Sequence, residues 1–457
     1  MAKIDFTNID MTQGKPWKGI LAFSIPMLIG NIAQQLYSTV DSIVVGQYVG
    51  DGALAAVGTS FPILNILLSL FIGISAGATV MASQYFGANL KDKISGTVGT
   101  CITLAAICSI ILMLIAPPFI RPLLEMLNTP QDIIDDSAAY LTISMLGIAG
   151  VAYYNILSGI LRGLGDAIYP LVSLVVATVI NIVLDILFVA KFNMGVAGVA
   201  YATIIAQAAS SILCLIRLVN MKNVFKLSFK DLKPKKVYVS TVTKLGLPTG
   251  LTQAIMSSAM IVVQALTNSF GTLFIAANII IMRVDGFAMM PNFSFGTAMT
   301  TYAGQNVGAK KLDRVTLGAK QGTLIAVATS TVITIAILLF GKTLMRAFTK
   351  TPELVDMSYY LMCILAAGYI AMAVTQSLSG IMRGAGDTLT PMWISLITTI
   401  VMRIPLAYGI SYLTTTPELP NGMKECIQIS LLATWIFGAI LTSIFYARGK
   451  WKNKAIQ

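Results

Sequence analysis

Two closely similar stretches stand at residues 158–170, SGILRGLGDAIYP, and at residues 379–391, SGIMRGAGDTLTP. The second begins 221 residues after the first (379 minus 158). A shorter pair, QYFGA at residues 84–88 and QNVGA at residues 305–309, has the same offset (305 minus 84). Matches in one order at one spacing indicate an internal repeat, so we expect two copies of one structural unit.

The composition is typical of a membrane protein. Of the 457 residues, 56% are hydrophobic and 11% are charged, and the mean hydropathy is +0.80. Soluble domains carry about 25% charged residues, and a membrane helix needs roughly 20 apolar residues. Such runs predict twelve transmembrane helices, near residues 20–48, 54–84, 95–116, 134–161, 168–190, 196–219, 245–269, 274–304, 316–340, 355–382, 389–412 and 425–447.

The basic residues predict the orientation in the membrane, because Lys and Arg favour cytoplasmic loops. With both termini in the cytoplasm, most of the 31 Lys and Arg residues fall on the cytoplasmic side. Those that fall outside are Arg121, Lys191, Lys342, Arg346, Lys350 and Lys424. We therefore expect a multi-pass protein of the cell (inner) membrane with both termini cytoplasmic.

The lysine-rich segment 221–243 is the longest polar stretch and lies near the midpoint of the chain. It predicts a cytoplasmic linker between an N-lobe, residues 1–220, and a C-lobe, residues 244–457. Because each copy holds six helices, both copies share one orientation. The predicted fold is an all-α membrane protein with two six-helix lobes related by a pseudo-twofold axis along the membrane normal.

The paired RG-x-GD motifs, together with the spacing P–x(14)–D from Pro26 to Asp41, resemble the multidrug and toxic compound extrusion (MATE) family. The resemblance runs from about residue 14 to 448, and the N-lobe pattern is similar to the DinF-like prokaryotic branch. It implies a transporter rather than an enzyme. The implied activity is multidrug efflux by antiport, exporting lipophilic, often cationic compounds in exchange for H+ or Na+.

Two acidic residues lie inside apolar helices of the N-lobe. Asp41 shares a helix face with Gln34 and Tyr37, at i, i+3 and i+7. Asp185 follows Asn181 by four residues, which stacks the carboxylate on the amide. Ionisable residues in a membrane are costly and are functional candidates by default.

The second copy lacks both acids. The offset of 221 or 222 places Val262 or Val263 opposite Asp41, and it places Arg403 and Ala407 opposite Asn181 and Asp185. Removal from water and a second carboxylate nearby both disfavour the charged form of a carboxylate. One shared proton, or one Na+ held by oxygen ligands, would relieve both costs. The chain has no histidine, so a proton carrier must be a carboxylate.

The resemblance implies further site residues, because the matching positions surround the cation site in MATE proteins of this branch. The implied coupling set, and the candidate Na+ ligands, are Asp41, Asn181, Asp185 and Thr203. The implied substrate or cavity set in the N-lobe is Gln34, Tyr37, Tyr140 and Asn155. For Tyr140, Asn155 and Thr203 the alternative is simple hydrogen bonding between helices.

Other residues are candidates for structural, gating or substrate roles. In the C-lobe, Asp285 is expected to reach Arg403 across helices and form a neutralised pair, with Arg283 nearby in sequence. Pro26 removes a helical hydrogen bond, and a bend there could move Asp41 between environments.

Methionines crowd the seventh and eighth helices, and Met256, Met260 and Met289 are candidates for promiscuous apolar binding, with ordinary packing as the alternative. The NorM branch of the family carries acidic cation-site residues in its seventh and tenth helices. Here Met256 stands near the expected acid of the seventh helix, and the stretch YLMCILAAGYIAMAVTQSLSG of the tenth helix, residues 360–380, contains no acid. We therefore expect coupling in the N-lobe.

Several rival functions remain possible on the sequence. A lipid-linked oligosaccharide flippase of the same superfamily would need a strongly cationic cavity, and an intramembrane enzyme would need a nucleophile–base pair or a metal set. A channel does not fit an asymmetric ion site in a repeated architecture. The net charge of +12 is interpreted as loop bias rather than nucleic-acid binding. We expect a monomer in the lipid bilayer, with small lipophilic or cationic substrates and no cofactor besides the coupling ion.

Overall fold

The structure is a computed structural model that describes residues 9–127 and 129–456. Within these ranges it is helical and contains no β-strand. Ten helices are long and apolar enough to cross a membrane, and two bent pairs supply two further spans. The twelve spans are α1 Pro16–Val49, α2 Asp51–Gly87, α3 Lys91–Met126, α4 Ile134–Leu146 with Ile148–Gly163, α5 Ile168–Lys191, α6 Gly195–Asn220, α7 Lys236–Ser269, α8 Thr272–Gly308, α9 Leu312–Arg346, α10 Pro352–Ala366 with Gly368–Gly384, α11 Leu389–Leu413 and α12 Cys426–Ala447.

The predicted fold class of twelve helices is confirmed, and the helix ends differ from the prediction. α7 begins at Lys236, inside the predicted linker, and a short 3-10 turn forms at Phe229–Leu232. The early start of α7 has a packing cause. A Cβ on Gly96 of α3 would collide with the ring of Tyr238, so this glycine lets the first turn of α7 lie directly against α3.

The contacts divide the described chain into two compact units. The N-lobe unit comprises Ile25–Gly250 with the described residues up to Asp10, and the C-lobe unit comprises Met11–Ser24 with the described residues from Leu251 onward. The chain thus passes between units within α1, close to Pro26, and again within α7. The predicted lobe boundaries at residues 220 and 244 stay a prediction.

Both copies contain a helix that bends at the same place. The two segments of α4 meet at 52°, around Gly147, and those of α10 meet at 44°, just before Gly368. At Gly147 a Cβ would collide with Ile204 of α6, and at Gly368 it would collide with Trp435 of α12. Glycine at each bend therefore lets a neighbouring helix approach closely.

The two glycines of the repeated RG-x-GD motif have separate roles. Gly165 and Gly386 have φ angles of +91° and +99°, in the left-handed region that favours glycine. A Cβ on Gly163 would lie 2.6 Å from the carbonyl oxygen of Thr79 in α2. Gly384 makes the equivalent close contact with α8. The motif therefore turns the chain sharply and joins the helix before it to the second helix of the same copy.

The aspartate of the motif caps the helix that follows. Asp166 accepts a hydrogen bond from the backbone N–H of Tyr169 at 3.0 Å and from Arg217 Nε at 2.8 Å. Asp387 accepts hydrogen bonds from the N–H and the hydroxyl of Thr390, at 3.2 and 2.8 Å. Burial in the connection between α4 and α5 raises the pKa of Asp166, and these hydrogen bonds oppose the shift.

Candidate functional site

The two N-lobe acids and Asn181 form one cluster between α1 and α5. With its amide nitrogen facing both carboxylates, Asn181 donates to Asp41 Oδ1 at 2.9 Å and to Asp185 Oδ2 at 3.2 Å. Asn181 and Asp185 are fully buried, whereas Asp41 is partly buried. The expected i, i+4 stacking on α5 therefore places the amide between the two acids.

Both helices change their winding just past the acids. α1 ends in a π-helical turn at Val45–Val49, and α5 does so at Ile186–Lys191. Wide turns of this kind occur often at functional sites, because they release backbone groups from the regular helical pattern. Here Asp185 is the last residue before the π-helical turn of α5.

Three buried oxygen atoms around the cluster have no hydrogen-bond partner among the described residues: Tyr37 Oη, Asp185 Oδ1 and Thr203 Oγ1. Tyr37 lies beside Thr203 and Asp41. Tyr140 is also close to both carboxylates and is 8% exposed. Buried polar atoms are normally paired, so an unpaired set of hard oxygen atoms fits a proton or a small hard cation.

Among the described residues, no basic side chain forms an ion pair with either acid. The described residues contain four ion pairs, and none of these includes Asp41 or Asp185. No cluster of three or more His, Cys, Asp or Glu side chains able to hold a metal occurs among them either. The site thus resembles a switchable pair of acids more than a permanent metal centre, since the unpaired charge can be neutralised by a mobile ion.

A cavity of about 200 Å³ lies within the N-lobe unit, and its lining on α1 extends to Gln34, one turn before Tyr37. Gln34 of α1 and Asn155 of α4 line it, as predicted for the cavity set, and Asn155 Nδ2 also donates to the carbonyl oxygen of Val151 at 2.8 Å. Sequence reasoning missed several lining residues, among them Gln207 of α6 and Arg162 of α4. Their signal was the helical spacing: Gln207 is one turn past Thr203, and Arg162 is two turns past Asn155.

The C-lobe positions that correspond to the two acids are apolar. Val263 and Ala407, which the repeat places opposite Asp41 and Asp185, are buried in one hydrophobic cluster. Asp285 does lie near Arg403 and Tyr369, as the sequence suggested. However, Asp285 and Arg403 form no ion pair within 4.0 Å among the described residues, so the expected direct pair is not formed.

The remaining C-lobe candidates do not form a single site. Arg283 is exposed on α8, apart from the buried side of that helix. Met289 is buried in the hydrophobic cluster, whereas Met256 and Met260 are 40% and 47% exposed on α7. None of these methionines lines the N-lobe cavity. A substrate role for them stays a prediction, and Met289 packs as an ordinary core residue.

Comparison with known proteins places the chain in a family. The sequence model named MatE matches twice, at residues 26–187 and 248–409. The chain belongs to the MatE family. The two matches begin at Pro26 and Pro248 and confirm the internal repeat. The predicted family and the prediction of a multi-pass transporter rather than an enzyme are confirmed, while the finer assignment to the DinF-like branch stays a prediction.

Two curated MatE relatives match nearly the whole chain. The "Probable multidrug resistance protein YpnP" of Bacillus subtilis is 31% identical over 97% of each chain. The "Probable multidrug resistance protein YoeA" of the same organism is 28% identical over 98% of this chain and 97% of its own length. A solved "Outward-facing conformation of a multidrug resistance MATE family transporter of the MOP superfamily" has a TM-score of 0.89, 23% identity and 97% coverage of both chains. At that identity the structural likeness supports the fold alone.

Proposed function

We propose that this MatE transporter is a multidrug efflux antiporter, which exports lipophilic, often cationic compounds in exchange for H+ or Na+ bound by the N-lobe acids. The observation that carries the proposal is the Asp41–Asn181–Asp185 cluster, whose two carboxylates form no ion pair within the described part of the chain. The relatives named as probable multidrug resistance proteins support the substrate class.

The geometry suggests how ion and substrate would compete. In the ion-free state, Asn181 bridges two carboxylates that otherwise repel each other. Binding of one cation neutralises the pair and changes the contacts between α1 and α5. Antiport requires that ion and substrate each prefer a different state of the protein, because only a difference in affinity can shift the equilibrium.

H+ and Na+ would use the site differently. A proton shared between Asp41 and Asp185 needs no change in Asn181. A Na+ ligand must be an oxygen atom, so Asn181 would have to rotate its amide until Oδ1, rather than Nδ2, faces the acids. The unpaired oxygen of Thr203 would complete the Na+ ligand set named above.

The proposal is tested by ethidium efflux from everted membrane vesicles, first under an imposed pH gradient and then under an imposed Na+ gradient. We expect one gradient to drive efflux and Asp41→Asn to abolish it. Asp356→Asn, which changes an exposed carboxylate paired with Lys342, is the matched control and should keep full efflux. Gradient-driven efflux by a well-expressed Asp41→Asn protein would reject the proposal.

The cellular setting belongs to the same proposal. We propose a monomer in the cell (inner) membrane with both termini in the cytoplasm, and the distribution of Lys and Arg supports this orientation. The flippase alternative gains little support, because a pyrophosphate would need several cations. Arg162 supplies the single formal charge among the described residues that line the N-lobe cavity.

A further inference from the structure

The N-lobe cavity contains an arginine that the fold does not use. Arg162 belongs to the repeated RG-x-GD motif, and every other named position of that motif has a structural role in the turn. Nε of Arg162 is buried and has no hydrogen-bond partner among the described residues. Arg162 lines the cavity, so its charge is available to an occupant.

The nearest acid of the motif cannot neutralise Arg162. Asp166 already forms an ion pair with Arg217 Nε at 2.8 Å, and it also caps α5 by accepting a hydrogen bond from the backbone N–H of Tyr169. The aromatic neighbour Tyr154, on the same helix as Arg162, directs its hydroxyl to the carbonyl oxygen of Pro170 at 3.4 Å. An arginine in the last turn of α4 gains some stabilisation from the helix dipole. The helix dipole still leaves the buried Nε of Arg162 without a hydrogen-bond acceptor among the described residues.

A buried charge without a partner is costly and, in a membrane, indicates a functional site. The guanidinium group presents a planar fork that matches a carboxylate, and such charge-assisted pairs are among the strongest hydrogen bonds in proteins. We propose that this cavity receives the carboxylate of an anionic or zwitterionic amphiphile, with Arg162 as its binding partner. This inference rests on the efflux function proposed above and adds a substrate class to it.

The layout of the cavity supports an oriented ligand. Along α4 the lining residues run from Val151 to Arg162, which at 1.5 Å per residue is about 16 Å. Gln207, whose buried Oε1 has no hydrogen-bond partner among the described residues, lines the cavity from α6. On α1 the lining ends at Gln34, one turn before Tyr37. α1 continues from Gln34 towards Asp41. A ligand carboxylate bound to Arg162 would therefore lie at the end of the cavity that is farther from the two acids.

The size of the cavity limits what enters it. A volume of about 200 Å³ is below the roughly 300–1,000 Å³ of pockets that enclose a whole drug-sized ligand. One end of a larger molecule fits, with its apolar remainder beside Leu68, Ile72 and Leu171. The proposed occupant is therefore a small molecule that places its carboxylate-bearing end in the cavity.

The experiment uses two dyes that differ at one group. Rhodamine 110 carries a free carboxylate, and rhodamine 123 is its methyl ester. Binding to the purified full-length chain in detergent is measured by fluorescence polarisation for the wild type, Arg162→Gln and Arg162→Lys. Arg383→Gln is the matched control, because it changes the same motif position in the other copy and Arg383 does not line the cavity.

We expect the wild type and Arg383→Gln to bind rhodamine 110 about tenfold more tightly than rhodamine 123. Arg162→Gln should lose this preference, and Arg162→Lys should keep part of it with a normal elution profile. Equal wild-type affinities for the two dyes, or an equal loss of both in Arg162→Gln, would overturn the inference.

Ethidium efflux by the same variants separates the inference from the proposed function. If the wild type transports no ethidium and still shows the Arg162-dependent preference, the efflux proposal fails while the carboxylate site stands. If ethidium efflux is normal and the preference is absent, the carboxylate site fails while the efflux proposal stands.

Discussion

Replacing Asn181 by leucine removes the amide that bridges Asp41 and Asp185 while keeping a side chain of similar size. The lost contacts are two hydrogen bonds to carboxylates, at 2.9 and 3.2 Å. Hydrogen bonds to charged groups contribute about 1.5–3 kcal/mol each. Because Asp41 is partly accessible, we take the lower limit, about 3 kcal/mol for the pair. A shared proton leaves both hydrogen bonds in place but neutralises one acceptor, and a bond to a neutral group contributes about 1 kcal/mol less than a bond to a charged one. The loss specific to the ion-free state is therefore about 1 kcal/mol, which makes that state about fivefold less favourable.

The direction of the effect depends on the coupling ion. With H+, the variant holds the ion more tightly, so the half-saturating proton concentration should fall about fivefold and turnover should slow. With Na+, leucine also deletes a candidate oxygen ligand, so the half-saturating Na+ concentration should rise. The assay is ion-driven ethidium efflux in proteoliposomes, measured across a range of concentrations of each ion.

A matched control distinguishes this effect from a general loss of stability. Asn292 is equally buried in α8 and bonds to neutral groups, the carbonyl oxygen of Tyr369 at 3.2 Å and the hydroxyl of Ser330 at 2.7 Å. Asn292→Leu should lower thermal stability and leave the ion dependence unchanged. An Asn181→Leu protein with normal thermal stability, normal turnover and unchanged half-saturating concentrations for both ions would refute the reasoning.

Three further changes test other parts of the account. Thr203→Val removes a buried oxygen that has no hydrogen-bond partner among the described residues, so it should not lower thermal stability. It should weaken Na+-dependent efflux, and unchanged Na+ dependence would remove Thr203 from the ligand set. Gly77→Ala places a Cβ against the carbonyl oxygen of Val242 in α7, so it should reduce the yield of folded protein. Gly58 has open space around it, so Gly58→Ala should not reduce the yield. Equal yields of the two variants would contradict the packing argument. Pro26→Ala restores a helical hydrogen bond and should slow ethidium efflux without lowering expression; full efflux would count against a bend at Pro26.

Much of the fold could be predicted because the membrane imposes strong rules on sequence. A span needs a long apolar run, so the twelve helices are visible without any structure. Charged residues are rare in such runs, so Asp41 and Asp185 stand out, and the spacing of Asn181 and Asp185 places both on one face of α5. The absence of these acids from the second copy further indicated that the site lies in the N-lobe.

Other features depend on packing between distant residues and could not be predicted. The bends in α4 and α10 arise where Gly147 and Gly368 meet bulky side chains of other helices. Arg162 directly follows the predicted helix 134–161, as a basic residue of a cytoplasmic loop would, and only the structure shows that it lines the N-lobe cavity. Asp285 and Arg403 approach each other as expected, but side-chain reach, which sequence does not specify, leaves them without a direct contact.

The most direct test of the central claim is to count the ions that purified protein releases when a transported substrate binds. Proton release is followed with a pH-sensitive dye in weakly buffered solution, and Na+ release with a radioactive tracer. We expect the wild type to release one of these ions. The double variant Asp41→Asn, Asp185→Asn should bind substrate without releasing either ion. Equal ion release from the double variant and the wild type would contradict the assignment of coupling to these two acids.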